Sequence, residues 1–220
     1  MSVVVFVAPF FLDTTLRFVR CVAEVPDTQL VLVSQDPSSK LPPALRARLA
    51  AHLEIGNALD PGEVGDAVAD IQRHAGPVHR IIGALEQLQV PLAEVRERFD
   101  IPGMDVPTAK NFRDKARMKD VLRKSGVPCA RHRMATSADE AWAFVQEVGF
   151  PVVVKPPEGA GAKSTFRLEQ ESALGEYLDA YPVSEARPTL LEEFIVGREH
   201  SFDSICIHGR PVWHSISRYY

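Results

Sequence analysis

Short apolar runs alternate with amphipathic segments along the first hundred residues. Val3–Ala8 is a continuous run of β-branched and aromatic residues, typical of a strand buried on both faces. Apolar residues follow at helical spacing over 12–22, with Asp13 as a candidate helix cap, and two further strands are predicted over Gln29–Ser34 and Val78–Gly83. Helices are predicted over Ala44–Ala51, Pro61–His74 and Leu85–Phe99. This alternation predicts an α/β domain over residues 1–105, with a parallel sheet covered by helices on both faces.

The pattern changes after Pro102-Gly103 and Pro107, which indicate a domain boundary. One long helix is predicted over Thr108–Ser125, with Thr108 as its N-cap, and a capping box at Ser137–Glu140 begins another. The remaining strands are predicted over Arg131–Ala135, Val152–Lys155, Thr165–Leu168 and Thr189–Phe194, with a helix over Ser172–Ala180 and a hairpin formed by Glu199–Ile207 and Pro211–Tyr219. Residues 106–220 are therefore predicted to form an α+β domain.

Composition narrows the class of protein. A net charge of −4 and a pI near 6.0 argue against a dedicated nucleic-acid binder. The apolar start of the chain has no basic region before it and no cleavage site, which argues against a signal peptide or membrane span. The three cysteines are scattered, as expected of buried or half-buried thiols in the reducing cytoplasm.

Two groups of basic residues suit an anionic ligand. Lys115 and Lys119, like Arg113 and Arg117, lie four residues apart on a predicted helix, where like charges oppose folding by about 0.2–0.5 kcal/mol per pair. A bound polyanion would relieve this repulsion, although a solvated basic face has the same pattern. Lys155 ends an apolar strand, so its ammonium needs an anion or a path to solvent.

Two loops add candidate contacts to a nucleotide. Glu158–Ser164 is a turn of small residues that could hold phosphate oxygens, although a plain hairpin turn has the same composition. Glu192–Glu199 is a strand end with paired acids followed by a turn, whose backbone could bind an adenine edge and whose carboxylate could bind ribose hydroxyls. A surface loop with solvated glutamates is the alternative.

Several other kinds of site are excluded by spacing. Neither a Walker loop nor a dinucleotide fingerprint is present, and no Gly-x-Ser-x-Gly turn occurs. The histidines lack zinc-site spacing, so no metal ligand is predicted within the chain.

The order of these motifs resembles the ATP-grasp superfamily. The motifs are Phe112-Arg-Asp-Lys115-x-x-Met118-Lys119, Gly126-Val-Pro128, Val152-Val-Val-Lys155-Pro156, the small-residue turn, and Glu192-Glu-Phe-x-x-Gly197-x-Glu199. They cover residues 100–207, and the preceding α/β region resembles the pre-ATP-grasp domain of that superfamily. The resemblance implies a pre-ATP-grasp domain over 1–105 and the N-terminal part of an ATP-grasp domain over 106–220, with a small ATP-binding lobe over about 130–195.

The resemblance also implies roles for individual residues. Lys115 and Lys155 match the two lysines that bind the phosphates of ATP. Gly159, Gly161, Lys163 and Ser164 match the glycine-rich flap over them. Glu192, Glu193 and Phe194 match the hinge at the adenine, and Glu199 matches the acid that binds the ribose.

The reaction implied is ATP-dependent activation of a carboxylate to an acylphosphate, followed by attack of an amine. An amino-acid ligase branch is favoured, with small-molecule carboxylate and amine substrates, ATP and Mg²⁺ as cofactors, a cytoplasmic location and a possible homodimer. A degenerate regulatory module and a biotin-carboxylase-like or carbamoyl-phosphate-synthase-like enzyme are the alternatives. The magnesium ligands are expected downstream of Tyr220, so the 220 residues alone are expected to be inactive.

Overall fold

The computed structural model describes residues 1–155 and 165–219, in two compact units. The first unit is Met1–Val127, and the second begins at Pro128. The sequence-based boundary near residue 105 differs from this division because the helical pair over 106–124 has its contacts in the first unit.

The first unit is built on a parallel sheet of four strands. The strands are β1 (Ser2–Val7), β2 (Thr28–Ser34), β3 (Ala51–Glu54) and β4 (Val78–Gly83), in the order β3-β2-β1-β4. Its helices are α1 (Asp13–Ala23), α2 (Pro43–Arg46), α3 (Pro61–Ala75), α4 (Gln89–Arg98), α5 (Val106–Arg113) and α6 (Lys115–Lys124), with single 3-10 turns over Ser38–Lys40 and Glu86–Leu88.

Apolar clusters lie on both faces of this sheet. Val5 and Val33 point toward α3 and α4, whereas Phe6 and Leu32 point toward α1 and α2. Successive side chains of a strand point to opposite faces, so a continuous apolar run is what a sheet with two covered faces requires. The predicted parallel sheet with helices on both faces is confirmed.

Three local predictions over residues 1–105 are wrong. The region predicted as a helix over 44–51 contains only α2, and Ala51 instead begins the short edge strand β3, which pairs with β2. Asp13 lies in the first turn of α1, but Leu12 occupies the N-cap position and makes no side-chain cap. Cys21 is exposed rather than buried, as is Cys206 in the second unit.

The predicted helix over 108–125 is two helices that meet at Asp114. Asp114 has an extended backbone conformation, and its Oδ1 atom accepts hydrogen bonds from the N–H groups of Ala116 and Arg117 at 2.8 and 3.1 Å. An aspartate that caps a helix competes with continuation of the preceding one. Asp105, not Thr108, caps α5, by accepting from the Thr108 N–H at 2.8 Å.

The second unit contains an antiparallel sheet of four strands and a separate hairpin. The sheet has the order β5-β8-β6-β7, formed by His132–Ala135, Thr189–Glu193, Val152–Lys155 and Phe166–Leu168. Helices α7 (Ala138–Val148) and α8 (Glu171–Ala180) pack on one face of this sheet through an apolar cluster centred on Phe144, Leu174 and Leu191. The predicted capping box is present, since Ser137 Oγ accepts from the Glu140 N–H at 3.3 Å.

The predicted hairpin is also present, as β9 (His200–Ile207) and β10 (Arg210–Arg218). His208 and Gly209 form its turn, with φ angles of 50° and 74°. Two successive residues with positive φ are typical of the type I′ turn, whose twist matches that of the flanking strands.

A partly buried hydrogen-bond chain lies at the carboxyl end of β2. Ser34 Oγ is 2.6 Å from the carbonyl oxygen of Asp36 and 2.7 Å from Nε2 of His52. The single hydroxyl proton of Ser34 must go to the carbonyl, so Nε2 of His52 donates to Ser34 Oγ. Burial lowers the pKa of His52 below its ordinary value, an effect that Glu54 partly offsets.

We expect stability to fall as the solution is acidified, in part through His52. The folded pKa of His52 is lower than the unfolded value of about 6.5, so the unfolded chain takes up a proton first as pH falls. The contribution of neutral His52 to the free energy of unfolding is therefore complete above the pKa of the unfolded chain. It is lost as the pH falls toward the pKa of His52 in the folded chain. Urea unfolding between about pH 7.5 and about pH 5.5 measures this loss.

The His52→Gln variant keeps a side-chain donor and should show a smaller loss over this pH range. His74→Gln, at an exposed position of α3, is the matched control and should behave like the parent chain. An unchanged pH dependence in His52→Gln would contradict the assignment.

Candidate functional site

The four-stranded sheet of the second unit has two chemically different faces. Val152, Val154 and Leu191 belong to the apolar cluster under α7 and α8. Because side chains alternate along a strand, Lys155 and Glu192 lie on the opposite face. The candidate site is built on this second face.

Lys155 and Glu192 form an ion pair on that face. The Nζ atom of Lys155 lies 2.7 Å from Oε2 of Glu192, and the two side chains are 19% and 9% exposed. Lys155 pairs with Leu190 across the strands and Glu192 pairs with Val153, so the charged residues are diagonal neighbours on β6 and β8. Diagonal neighbours are within reach when their side chains are long. The structure thus brings together two residues that the family resemblance assigned to ATP binding.

Further polar and aromatic residues share this face. His132, Val153 and Arg167 occupy the same register row as Glu192. The guanidinium of Arg167 lies over the Phe194 ring, 3.9 Å from its centroid, and also pairs with Glu169 at 2.7 Å. A guanidinium stacked on an aromatic ring is a stable flat surface. His132 and Arg167 were not predicted from the sequence.

Glu193 and Phe194 are held at the end of the sheet by hydrogen bonds to Arg131 and Pro151. The carboxylate of Glu193 accepts hydrogen bonds from the backbone N–H and the guanidinium of Arg131, the former at 3.0 Å. The backbone N–H groups of Glu193 and Phe194 donate to the carbonyl oxygens of Arg131 and Pro151 at 3.0 and 3.3 Å. The first backbone after β8 that lies outside a strand is therefore 194–199, which ends at the exposed Glu199.

Other predicted site residues lie in the first unit or outside the described residues. Lys115 is the first residue of α6 in the first unit, and its approach to Lys155 stays a prediction. Gly159, Gly161, Lys163 and Ser164 lie outside the described residues.

Basic residues of the first unit line a cavity of about 430 Å³. Lys110, Arg113 and Arg117 contribute to it, together with Asp114 and Gln87. Arg113 pairs with Glu86 at 3.1 Å, and Arg117 donates to Oδ1 of Asn111 at 3.2–3.3 Å. The break between α5 and α6 removes the predicted single helical face, yet Arg113 and Arg117 still meet in one cavity. Lys110, the third basic residue of the cavity, was missed because the sequence analysis paired basic residues that lie four positions apart. Lys110 does not lie four positions from Arg113 or from Arg117.

Within residues 1–155 and 165–219, no group of three or more His, Cys, Asp or Glu side chains is arranged to hold a metal ion. None of the helices there is long and apolar enough to cross a membrane.

Comparison with known proteins identifies the fold. Residues 113–214 match the phosphoribosylglycinamide synthetase ATP-grasp (A) domain family. The fold is similar to that of the L-amino acid ligase from Bacillus licheniformis, with 17% identity, a TM-score of 0.72, and coverage of 99% of this chain and 49% of the other. This chain has the ATP-grasp fold.

Other ATP-grasp structures agree with this assignment. N5-carboxyaminoimidazole synthetase from Staphylococcus aureus, complexed with ADP, matches with 13% identity, a TM-score of 0.72, and coverage of 99% of this chain and 53% of the other. The biotin carboxylase domain of the Hydrogenobacter thermophilus 2-oxoglutarate carboxylase matches with 23% identity, a TM-score of 0.67, and coverage of 90% and 45%. This chain thus spans about half the length of the structures it matches, and the predicted resemblance is confirmed at the level of the fold.

The ion pair predicts a large and non-additive effect of mutation on stability. Lys155→Met or Glu192→Leu should each lower the free energy of unfolding by about 2–4 kcal/mol, because each leaves one poorly solvated charge without its partner. The double variant should lose less than the sum of the two, since it leaves neither charge behind.

Urea unfolding followed by Trp142 fluorescence, in a Trp213→Phe background, measures this effect in the second unit. Glu147→Gln is the control, because its pair with Arg133 is half exposed and should contribute less than about 1 kcal/mol. Strictly additive losses would show that the contact between Lys155 and Glu192 has no energetic role.

Proposed function

We propose that this chain is the ATP-binding portion of an ATP-dependent carboxylate–amine ligase that acts through an acylphosphate and releases ADP. The observation that carries the proposal is the lysine of β6, oriented by Glu192 on the face of the sheet opposite its helices. The ATP-grasp fold and the match of residues 113–214 to an ATP-grasp domain support it.

Lys155 is suited to bind phosphate oxygens because the described residues do not use all the N–H donors of its ammonium. An ammonium group has three N–H donors, and among the described residues Glu192 is the acceptor it contacts. Two donors remain for a ligand, while Glu192 limits the movement of the side chain. A positioned point charge of this kind stabilises the charge of a transferring phosphoryl group.

The remaining contacts to the nucleotide are assigned by the family resemblance. Lys115 is the second phosphate ligand, and the turn containing Gly159, Gly161, Lys163 and Ser164 covers the phosphates. The adenine edge meets the backbone where β8 ends, in the hinge formed by Glu192, Glu193 and Phe194, next to the Arg167–Phe194 stack. Glu199, which is exposed directly before β9, binds the ribose hydroxyls.

Magnesium and both substrates complete the proposed reaction. When bound, Mg²⁺ would neutralise phosphate charge, and it would be held by the hard oxygen ligands that it prefers. The substrates are a small-molecule carboxylate and a small-molecule amine. A cytoplasmic homodimer is the proposed form of the protein.

The carboxylase branch differs in its second substrate. The matched biotin carboxylase domain was solved with MgADP, ADP and bicarbonate. Release of ADP that depends on bicarbonate and not on an amine would favour that branch over the ligase.

ATP titration of lysine variants tests the proposed site. Lys155→Met and Lys115→Met should each weaken the binding of MgATP to the 220-residue chain by about tenfold or more, the effect expected for loss of one charged hydrogen bond. Lys124→Met, in the exposed last turn of α6, should leave the affinity unchanged. Thermal unfolding of each variant, measured first, confirms that it is folded at the temperature of the titration.

Equal MgATP affinities for the parent, Lys115→Met and Lys155→Met would overturn the assignment of both lysines.

A further inference from the structure

A second cavity lies on the helix-covered side of the sheet in the second unit. It has a volume of about 330 Å³, within the range of small-molecule pockets. It is lined by Phe166, Tyr177, Tyr181, Val183, Arg187 and Thr189. Phe166 pairs with Val154 of the apolar cluster, so the cavity lies on the face opposite Lys155 and Glu192.

Three aromatic rings form one side of this cavity. The ring centroids of Phe166 and Tyr177 are 5.4 Å apart, those of Phe166 and Tyr181 are 5.4 Å apart, and those of Tyr177 and Tyr181 are 5.1 Å apart. Phe166 and Tyr177 are anchored in the apolar cluster, whereas half the surface of Tyr181 is exposed. Rings at these spacings offer edges and faces on which another flat ring can stack.

The polar groups of the cavity are arranged in a fixed chain. Tyr177 Oη lies 3.1 Å from Thr189 Oγ1, which donates to the backbone carbonyl of Lys155 at 3.4 Å. The Thr189 proton is thereby used, so the Tyr177 hydroxyl donates to Thr189. Tyr177 Oη therefore keeps its lone pairs for a donor, and the hydrogen-bond chain leads from the cavity through Thr189 to the backbone of β6.

A cation lies at the same cavity. Arg187 is exposed and makes no ion pair with any residue in 1–155 or 165–219. Its backbone is held by reciprocal hydrogen bonds with Ser184 at 3.0 and 3.2 Å, and prolines lie nearby at 182 and 188. A guanidinium on an anchored turn is suited to bind a carboxylate in a planar, bidentate manner.

We propose that this cavity binds a small planar aromatic molecule that carries one anionic group. The aromatic body stacks against Tyr177 and Tyr181, and the anion pairs with Arg187. The volume favours a one- or two-ring molecule over a peptide. The site is separate from the proposed nucleotide site, because the sheet lies between Thr189 and the side chains of Lys155 and Glu192.

Titration with 2-naphthoate and its uncharged analogue 2-naphthylmethanol tests the proposal on the 220-residue chain. Calorimetry should show saturable binding of 2-naphthoate that is about five- to tenfold weaker in Arg187→Gln, since an exposed charged contact is partly screened. The same substitution should leave binding of 2-naphthylmethanol unchanged. Tyr181→Ala should weaken the binding of both probes, because it removes an exposed stacking ring without disturbing the core.

Arg210→Gln provides the matched control, since it removes an exposed arginine from the hairpin. Amide chemical shifts in ¹⁵N-labelled protein should change around 177, 181 and 189 on addition of 2-naphthoate. No saturable binding, an equal loss in Arg187→Gln and Arg210→Gln, or shifts confined to the exposed apolar residues of the hairpin would each overturn the proposal. None of these results depends on whether the chain binds ATP.

Discussion

The ion pair between Lys155 and Glu192 is the contact on which the candidate nucleotide site depends. The two side chains are mostly removed from water, so each charge is tolerable chiefly because the other lies 2.7 Å away. Their meeting requires that β6 and β8 be adjacent, antiparallel and in one particular register. A lysine without this partner would move toward solvent, and its donors would lose the direction that phosphate binding requires.

The apolar face of the same sheet sets that register. A slip of one residue would turn Val152 and Val154 away from Phe144 and would place Lys155 beneath the helices. Burial of the valines and leucines is therefore what orients the charged pair, and the charged pair adds little to the choice of fold. The ATP-binding chemistry proposed here rests on packing that lies on the opposite side of the sheet.

Sequence patterns predicted the fold best where burial is greatest. Val3–Ala8 and Gln29–Ser34 carry an apolar signal that leads directly to β1 and β2. The strand β3 was missed because it is a half-exposed edge strand of only four residues, held by pairing with β2. The break at Asp114 was missed because the apolar periodicity continues through it, whereas the cap depends on one aspartate accepting two backbone N–H groups. Local hydrogen bonding decided the structure at that point, against a pattern that favoured a continuous helix.

The candidate site could be predicted only in part, for a related reason. The family resemblance identified Lys155 and Glu192 separately, but their contact joins residues 37 positions apart and follows from strand order rather than from spacing. His132 and Arg167 have no distinguishing motif, and they join the site because β5 and β7 flank the same pair of strands. Thr189 likewise has no distinguishing motif. Strand order places it on the other face of the sheet, where its hydroxyl donates to the carbonyl of Lys155. One residue of β6 therefore offers its side chain to the nucleotide face and its carbonyl to the hydrogen-bond chain of the aromatic cavity.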